Sequence, residues 1–436
     1  MRQRALASRR RRAGQRPMTA TLERETYIAP PISTTVSPQP PLRERLLSLD
    51  VFRGLTVAGM LLVNQPGSWG AIYPPLEHAA WNGWTPTDLI FPFFLFIVGI
   101  TTHLSLGSRR EHGASDSDIA IQVLKRGGLI VLVGLCLSGF PFFTWGDVHA
   151  ANGSVLGDAT FWQRVVDRFH HIRYPGVLQR IGVAYVGGAL LTMRGSLKRQ
   201  VAILAALLYG YWFAMTLIPA PGQMVVTNDL PATTVAAWLD RAIIGINHTW
   251  ASTKTWDPEG PFSTIPAIGT VMLGVFAGRW IATKRPLLER MAGMFAAGSL
   301  AMVAGLIWNW SFPINKNLWT SSYVMFTGGM ACVAIATCMW LIDLHRITWW
   351  TKPFVIFGVN PIAAFVGTGL MSRLIYSIIK VDYGGKRVAL ETAIYQSVFA
   401  SWLEPKNASL AFAVCFVALW LFLMWLLYRR KIFIRV

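Results

Sequence analysis

The segment "EHAAWNGWTPTDLIFPFFLFIVG", residues 77–99, places polar side chains at the beginning of a long apolar run. His78 carries an imidazole, the group that most often acts as a general base near neutral pH. Asn64 ends the preceding apolar run, and its amide hydrogen could stabilise a carbonyl oxygen that gains negative charge. These two residues predict a general base beside an oxyanion donor. A histidine held at the membrane interface between Trp81 and Trp84 is the alternative interpretation.

Charged residues also stand at the ends of other apolar runs. Asp50 and Arg53 are three residues apart, so they share one helix face and can form an ion pair. This pair either stabilises the helix end, or leaves Arg53 to bind an anionic group such as a phosphate. Arg173 and Arg180 lie at the beginning of another apolar run, where a charge is costly unless it faces a cavity or a partner.

The elements that must position these residues are membrane-spanning helices. The chain has 436 residues, of which 53% are hydrophobic and 14% are charged, whereas a soluble domain carries about 25% charged residues. Apolar runs near the ~20-residue length that crosses a bilayer recur to the end of the chain. We therefore predict an all-α polytopic membrane protein with about ten spans, at residues 51–65, 86–106, 127–142, 174–192, 200–219, 262–281, 291–310, 321–343, 352–372 and 409–428.

The charge distribution predicts the orientation of these spans. Most of the 40 lysines and arginines fall before residue 50, in every second loop and at the C-terminus, which the positive-inside rule assigns to the cytoplasm. Both termini are therefore expected in the cytoplasm. The net charge of +19 is explained by topology and by the lipid bilayer as partner, so we expect no binding of nucleic acid. Residues 1–44 are basic and proline-rich, and we predict a disordered cytoplasmic tail before a single transmembrane domain at 45–436.

Several enzyme classes lack their signature in this chain. We find no zinc motif, phosphate-binding loop, nucleophile elbow or dinucleotide-binding glycine motif. This disfavours ATPases, metalloproteases and serine hydrolases, and we expect no metal at the site.

The chain resembles a known family through consecutive long motifs. The motifs are "SLDVFRGLTVAGMLLVN", "HAAWNGWTPTDLIFPFFLFIVG", "RYPGVLQRI", "DPEGPFSTIPAI", "PINKNLWTSSYV" and "YRRKIFIRV", in order from residue 48 to the C-terminus. They resemble the transmembrane acetyltransferases typified by heparan-α-glucosaminide N-acetyltransferase, and especially the compact bacterial members of that family. We therefore expect no counterpart of the large N-terminal luminal part and the one extra span of the lysosomal member of that family.

The resemblance implies a function and assigns roles to residues. It implies transfer of an acetyl group from cytoplasmic acetyl-CoA to the amine of a glucosamine-type sugar or oligosaccharide on the other side of a bacterial inner membrane. His78 and Asn64 match the catalytic motif positions, with His78 as general base. Direct transfer and an acetyl-histidine intermediate are equally compatible with the sequence. We expect Asp50, Arg53, Arg109, Arg126 and Arg180 to bind acetyl-CoA. We expect the acceptor to contact Trp81, Asp88, Asp257, Glu259, Asn315 and Lys316.

Other functions remain open at this stage. The same polar residues could line the pathway of an amino-sugar transporter, or serve a membrane sugar O-acyltransferase. The resemblance also implies a possible homodimer. Turnover of acetyl-CoA would separate an acetyltransferase from a transporter.

Overall fold

The computed structural model describes residues 46–149 and 155–434. The tail predicted at 1–44 lies outside the described residues. The described α-helices are α1 (Leu47–Asn64), α2 (Ile90–Glu111), α3 (Asp116–Gly139), α4 (Phe161–His170), α5 (Val177–Met193), α6 (Leu197–Leu217), α7 (Val235–Ile244), α8 (Pro261–Ile281), α9 (Leu287–Trp308), α10 (Ser321–Cys338), α11 (Lys352–Val359), α12 (Pro361–Arg373), α13 (Leu390–Ile394) and α14 (Pro405–Arg429). Two short antiparallel hairpins pair β1 (Val148–His149) with β2 (Val155–Leu156), and β3 (Lys380–Tyr383) with β4 (Lys386–Ala389).

The helices confirm an all-α polytopic membrane protein. Among the described residues, nine helical segments are long and apolar enough to cross a bilayer, and α5 is a shorter apolar helix at the predicted fourth span. All ten predicted spans therefore overlap a helix. The third begins earlier than expected, at Asp116, because Ser115 and Asp118 form a capping box that extends the helix with polar turns.

The ninth predicted span is broken rather than continuous. It consists of α11 and α12, separated at Asn360, whose backbone leaves the helical conformation. Pro361 follows and lacks the N–H that would continue the helical ladder. The buried Asn360 side chain instead bonds the C-terminal segment, donating to the Ile432 carbonyl at 2.9 Å and accepting from Ile434 N at 2.8 Å.

A π-helical turn continues α10 from Met339 to Leu344, and another continues α12 from Leu374 to Ile378. Because successive spans alternate in direction, the connections collect at two ends of the bundle. Four short connections, 112–115, 194–196, 282–286 and 345–351, lie at what we call the short-loop end. Five long ones, 65–89, 140–176, 218–260, 309–320 and 379–404, lie at the long-loop end. Helix α4, helix α7 and both hairpins belong to the long-loop end.

Glycines allow several helix pairs to approach backbone to backbone. A Cβ at Gly54 in α1 would lie 1.7 Å from the Phe354 carbonyl oxygen of α11. A Cβ at Gly99 in α2 would lie 2.1 Å from the Val271 carbonyl oxygen of α8. Small residues at such contacts are the usual means of close helix packing in membranes. These contacts fix the helices that carry the site.

The outward faces of the spans are apolar. Leu217, Leu300 and Phe422 are exposed on α6, α9 and α14. Such faces would be unfavourable in water but match the hydrocarbon of a bilayer. The polar residues with buried side chains gather instead toward the long-loop end, where the site lies.

Candidate functional site

The start of the second span is organised around Asp88. Residues Pro86–Leu89 form a 3₁₀ turn, and Thr85 with Asp88 forms its capping box. The Oδ2 atom of Asp88 accepts from Thr85 N and Ala79 N, each at 3.0 Å. The carboxylate is therefore fixed by the loop on both sides, and only 1% of the side chain is exposed.

His78 is bound to the other oxygen of this carboxylate. Its Nδ1 lies 2.7 Å from Oδ1 of Asp88. An ionised carboxylate only accepts hydrogen bonds, so Nδ1 carries the ring proton and donates a hydrogen bond to Asp88. The Nε2 atom is then the unprotonated nitrogen of the neutral ring, and the side chain is 45% exposed. A base is thus oriented by a buried acid and open toward the long-loop end.

Lys316 lies over the imidazole of His78. Its Nζ is 3.1 Å from both ring nitrogens and 3.8 Å from Oδ1 of Asp88. An atom in the ring plane and equally close to both nitrogens would overlap the carbon between them, so Nζ sits above the ring face. Lys316 therefore does not occupy the in-plane position beside Nε2. Burial lowers the pKa of Lys316, while the charges of Asp88 and Glu259 oppose that shift.

Hydrogen bonds hold the Lys316 loop against the His78 loop. Gly83 N donates to the Ile314 carbonyl at 2.7 Å, and Gly83 has φ +100°, a conformation that favours glycine. Asn315 is fully buried and donates its amide to Asn82 Oδ1 at 3.1 Å. The position of Lys316 over His78 therefore follows from the pairing of two loops far apart in the chain.

A buried ion-pair group adjoins Lys316. Arg173 donates to both oxygens of Asp257, at 2.8 and 2.5 Å, and also bonds Glu259. Burial opposes the charge of Arg173, but the two carboxylates outweigh it and raise the arginine pKa. Burial would raise the pKa of Glu259, but the charges of Arg173, Arg180 and Lys316 outweigh it and lower that pKa.

Two further charged residues, Arg180 and Asp240, belong to this buried ion-pair group. Arg180 is buried, bonds Ser263 and the Gly260 carbonyl, and lies 5.0 Å above the Trp319 ring. Its Nε and Nη1 atoms have no hydrogen-bond partner among the described residues. Asp240 of α7 accepts from Asp257 N at 3.0 Å, and burial raises the pKa of Asp240 to about 7.

The aromatic side of the site is formed by Trp81. Its indole N–H donates to the Asn228 carbonyl at 2.7 Å, and its ring meets Trp256 edge to face at 5.2 Å. These contacts leave the ring partly exposed and fixed in orientation. A fixed indole face beside amide and carboxylate groups is a surface suited to a sugar ring.

The predicted acceptor residues thus lie at the same end of the bundle as His78 and come from three parts of the chain, residues 81–88, 257–259 and 315–316. Asn64, in contrast, is exposed at the end of α1, and it makes no hydrogen bond with His78 in the described structure. Its oxyanion role stays a prediction.

The predicted acetyl-CoA residues divide between the two ends. The Asp50–Arg53 pair is present at 3.5 Å, and Arg53 also donates to the Gly358 carbonyl at 3.2 Å. Arg109 is exposed at the short-loop end, and Arg126 lies 5.3 Å from the Tyr185 ring. Arg180 lies with the acidic residues toward the long-loop end, so it cannot share one phosphate site with Arg109.

Some residues of this site were assigned no role from the sequence. Arg173 stood out only as a costly charge, and Asp240 was missed. The signal for Asp240 is an acid inside the apolar stretch "VAAWLDRAII", where an isolated carboxylate would be unfavourable. Tyr323 was also missed; it is buried and donates to the Asp88 carbonyl at 2.5 Å.

Chemically, the group offers a base, an adjacent cation and a polar mouth. Nε2 of His78 can take a proton, Lys316 can donate to an oxygen that gains charge, and the carboxylates can bind an ammonium or hydroxyls. This set suits the attack of an amine on a carbonyl carbon.

Comparison with characterised proteins finds two mammalian relatives. The chain is 28% identical to heparan-alpha-glucosaminide N-acetyltransferase of Homo sapiens, over 92% of this chain and 61% of that protein. It is 27% identical to the protein of the same name from Mus musculus, over 89% of this chain and 60% of that protein. The chain therefore spans about three-fifths of the length of these relatives. No protein-family model matches it.

Proposed function

We propose that this chain, which is 28% and 27% identical to two heparan-alpha-glucosaminide N-acetyltransferases over most of its length, belongs to their family and is a transmembrane N-acetyltransferase. The donor is acetyl-CoA from the cytoplasm, and the acceptor is the amine of a glucosamine-type sugar at the long-loop end. The membrane is the inner membrane of a bacterium. The observation that carries the proposal is the 2.7 Å bond between His78 Nδ1 and buried Asp88, with Lys316 beside the ring.

In this proposal His78 is the general base. The acceptor amine attacks the thioester carbon, so a nitrogen–carbon bond forms and the carbon–sulfur bond breaks. Nε2 takes the proton that the amine loses and returns it to the departing sulfur, so amine and thioester become amide and thiol. Asp88 positions the ring and stabilises the imidazolium while the proton is held.

Lys316 stabilises the oxygen that gains charge. Its Nζ lies one hydrogen-bond length from Nε2, so an amine in the ring plane and a carbonyl oxygen near Nζ can be engaged together. A preorganised donor of this kind contributes about 3–4 kcal/mol in other acyl-transfer sites. We assign Lys316 this role alongside the predicted Asn64.

The remaining residues hold the two substrates. Trp81 and Asn315 present a ring face and an amide to the sugar, and Glu259, with Asp257 behind it, accepts hydrogen bonds from its hydroxyls. At the short-loop end we assign the phosphates of acetyl-CoA to Arg53, paired with Asp50, and to Arg109 and Arg126. Arg180 is assigned to the acyl end, because it lies near Trp319 and Ser263.

The test is acetylation by the purified protein in lipid nanodiscs, with acetyl-CoA and glucosamine, followed by mass spectrometry. We expect N-acetylglucosamine from the wild type and a loss of at least ~100-fold for His78→Ala, because general-base catalysis is removed. Lys316→Met should lower kcat by roughly 100-fold with little change in KM, since its bond forms mainly in the transition state.

The matched control is His171→Ala. His171 also pairs with an aspartate, Asp167, at 3.3 Å, but it lies outside the site, so turnover should be unchanged. Binding of acetyl-CoA by His78→Ala should persist and shows that the variant is folded. Normal turnover by His78→Ala would contradict the mechanism, and sugar flux without acetyl-CoA would favour a transporter.

A further inference from the structure

Helix α4 has its apolar side facing outward. Trp162, Val166 and Phe169 follow one another at helical spacing and are 70%, 53% and 52% exposed. A surface helix of a soluble protein shows the reverse, with apolar residues facing the core and charges facing water. The surroundings of α4 therefore cannot be read as ordinary solvent.

The aspartate and the two arginines of α4 form hydrogen bonds with other parts of the chain. Arg164 donates to the Gly146 carbonyl at 2.7 Å and to the Thr144 carbonyl at 3.2 Å. Asp167 accepts from the Thr144 hydroxyl at 2.6 Å. Since these groups are satisfied within the protein, the face that carries Trp162, Val166 and Phe169 offers a partner apolar contact.

The depth of α4 is set by the end of α3. Arg168 donates to the Gly139 carbonyl at 3.0 Å and also to those of Ser138 and Phe140, which close this 24-residue span. Helix α4 thus lies where α3 leaves the hydrocarbon. Phe142 and Trp145 are exposed nearby, and aromatic side chains of this kind concentrate at the membrane interface.

A second cation stands close to Arg168. Arg373 ends α12, which packs against α3 at Gly369 and Leu137. Its Nη1 atom is buried and has no hydrogen-bond partner among the described residues, and Arg168 is near enough to repel it. Two adjacent arginines at this depth, with the nearby acid Asp167 bound to Thr144, favour an anionic partner.

We propose that α4 is an interfacial membrane-binding helix that lies in the lipid leaflet at the long-loop end, where Arg373 binds a phospholipid phosphate. The apolar stripe Trp162–Val166–Phe169 enters the acyl-chain boundary, and the satisfied charges face the protein. This is the arrangement of helices that lie in the plane of a membrane interface.

The location has a consequence for the candidate site. Arg173 follows the end of α4 at His170 by three positions, a reach of about 11 Å of extended chain. Arg173 holds Asp257 and Glu259. The lipid contact of α4 therefore restrains the position of Arg173 and its two carboxylates, and it places this side of the candidate site beside the membrane surface.

Depth-dependent quenching tests the membrane contact. In a cysteine-free background, Val166→Cys is labelled with a fluorophore and the full protein is placed in nanodiscs containing doxyl-labelled phospholipid. We expect quenching severalfold stronger than at Met224→Cys, a matched control that is 97% exposed in another loop of the long-loop end. Equal quenching at both positions, or cross-linking of Val166→Cys between two copies, would overturn the proposal.

Native mass spectrometry of the same particles tests the phosphate contact. Arg373→Gln should weaken retention of bound phosphatidylglycerol by roughly tenfold, the effect of one lost charged hydrogen bond. The control Arg194→Gln removes an exposed arginine that pairs with Asp116 at the short-loop end, and should leave retention unchanged. Equal retention by wild type and Arg373→Gln would exclude Arg373 as the phosphate ligand.

Discussion

At the residue scale, the charges of the site neutralise one another in a single group. Lys316 is near Asp88 on one side and interacts with Glu259 on the other, while Arg173 joins Glu259 to Asp257. Breaking one partner of a buried pair costs several kcal/mol, about 3–5, because the other charge stays buried. The electrostatic potential at His78 therefore depends on several charged residues together.

Asp240 is the member of this group that should respond to pH. Burial raises its folded-state pKa to about 7 from the ordinary 3.8, so the folded protein holds this proton where the unfolded chain has lost it. The contribution of protonated Asp240 to the free energy of unfolding is complete below pH 4. It is lost as the pH rises through 7, and the difference is up to ~4 kcal/mol. Asp240→Asn stays neutral and should avoid that loss.

We therefore expect the melting temperature of Asp240→Asn, relative to wild type, to increase between pH 5 and pH 8. Thermal unfolding in detergent at several pH values measures this. Asp382→Asn, at an exposed position on β3, is the control and should show no such trend. A difference that does not change with pH would show that Asp240 is ionised throughout.

At the element scale, the helix frame depends on contacts that only glycine permits. Helices α1 and α11 touch at Gly54 and Gly358, and α2 and α8 touch at Gly99 and Gly274. In lipid there is little hydrophobic drive between helices, so this close contact supplies much of the association. The same α1–α11 contact fixes Arg53, which bonds the Gly358 carbonyl.

Gly54→Ala should separate α1 from α11. The added Cβ would lie 1.7 Å from the Phe354 carbonyl oxygen, backbone that cannot rotate away. We expect a loss of stability of about 1–3 kcal/mol or more, seen as a lower melting temperature. Gly210→Ala in α6, where a Cβ meets open space, should be neutral or stabilising by up to ~1 kcal/mol. Equal effects of both changes would contradict the role given to this contact.

At the scale of the whole molecule, the proposed reaction assigns different tasks to the two ends of the bundle. The long-loop end holds His78 and the acidic group, and the short-loop end holds Arg53 and Arg109. An acyl group that crosses between them needs no movement of the sugar across the membrane. The proposal therefore depends on which end faces the cytoplasm.

Labelling in a bacterial host tests that orientation. In spheroplasts, an impermeant maleimide should label Met224→Cys of the long-loop end and should label Lys284→Cys of the short-loop end only after permeabilisation. The reason is the excess of lysine and arginine at the short-loop end. The opposite pattern would place the candidate site in the cytoplasm.

Much of the fold could be predicted from the sequence, because a span is a local property. Twenty consecutive apolar residues determine a membrane helix whatever they pack against, so ten spans were recognised. The proline at 361 predicts the break in the ninth span, and the structure confirms it. The polar start of α3 depends on capping, and the bonds of Asn360 to the C-terminal segment depend on packing, so neither was predicted.

For the candidate site as well, one part could be predicted from the sequence and another part could not. The sequence alone determined that His78, Asp88, Glu259 and Lys316 stand at the ends of spans on one side of the membrane, because hydropathy and charge order the chain by depth. Only the tertiary structure decided their partners: Lys316 reaches His78 across 238 positions of the chain. The depth of a segment in the membrane depends on the transfer of that segment into lipid, which its own residues determine. The helices that become its neighbours depend on packing between distant segments, which no local stretch of the sequence encodes.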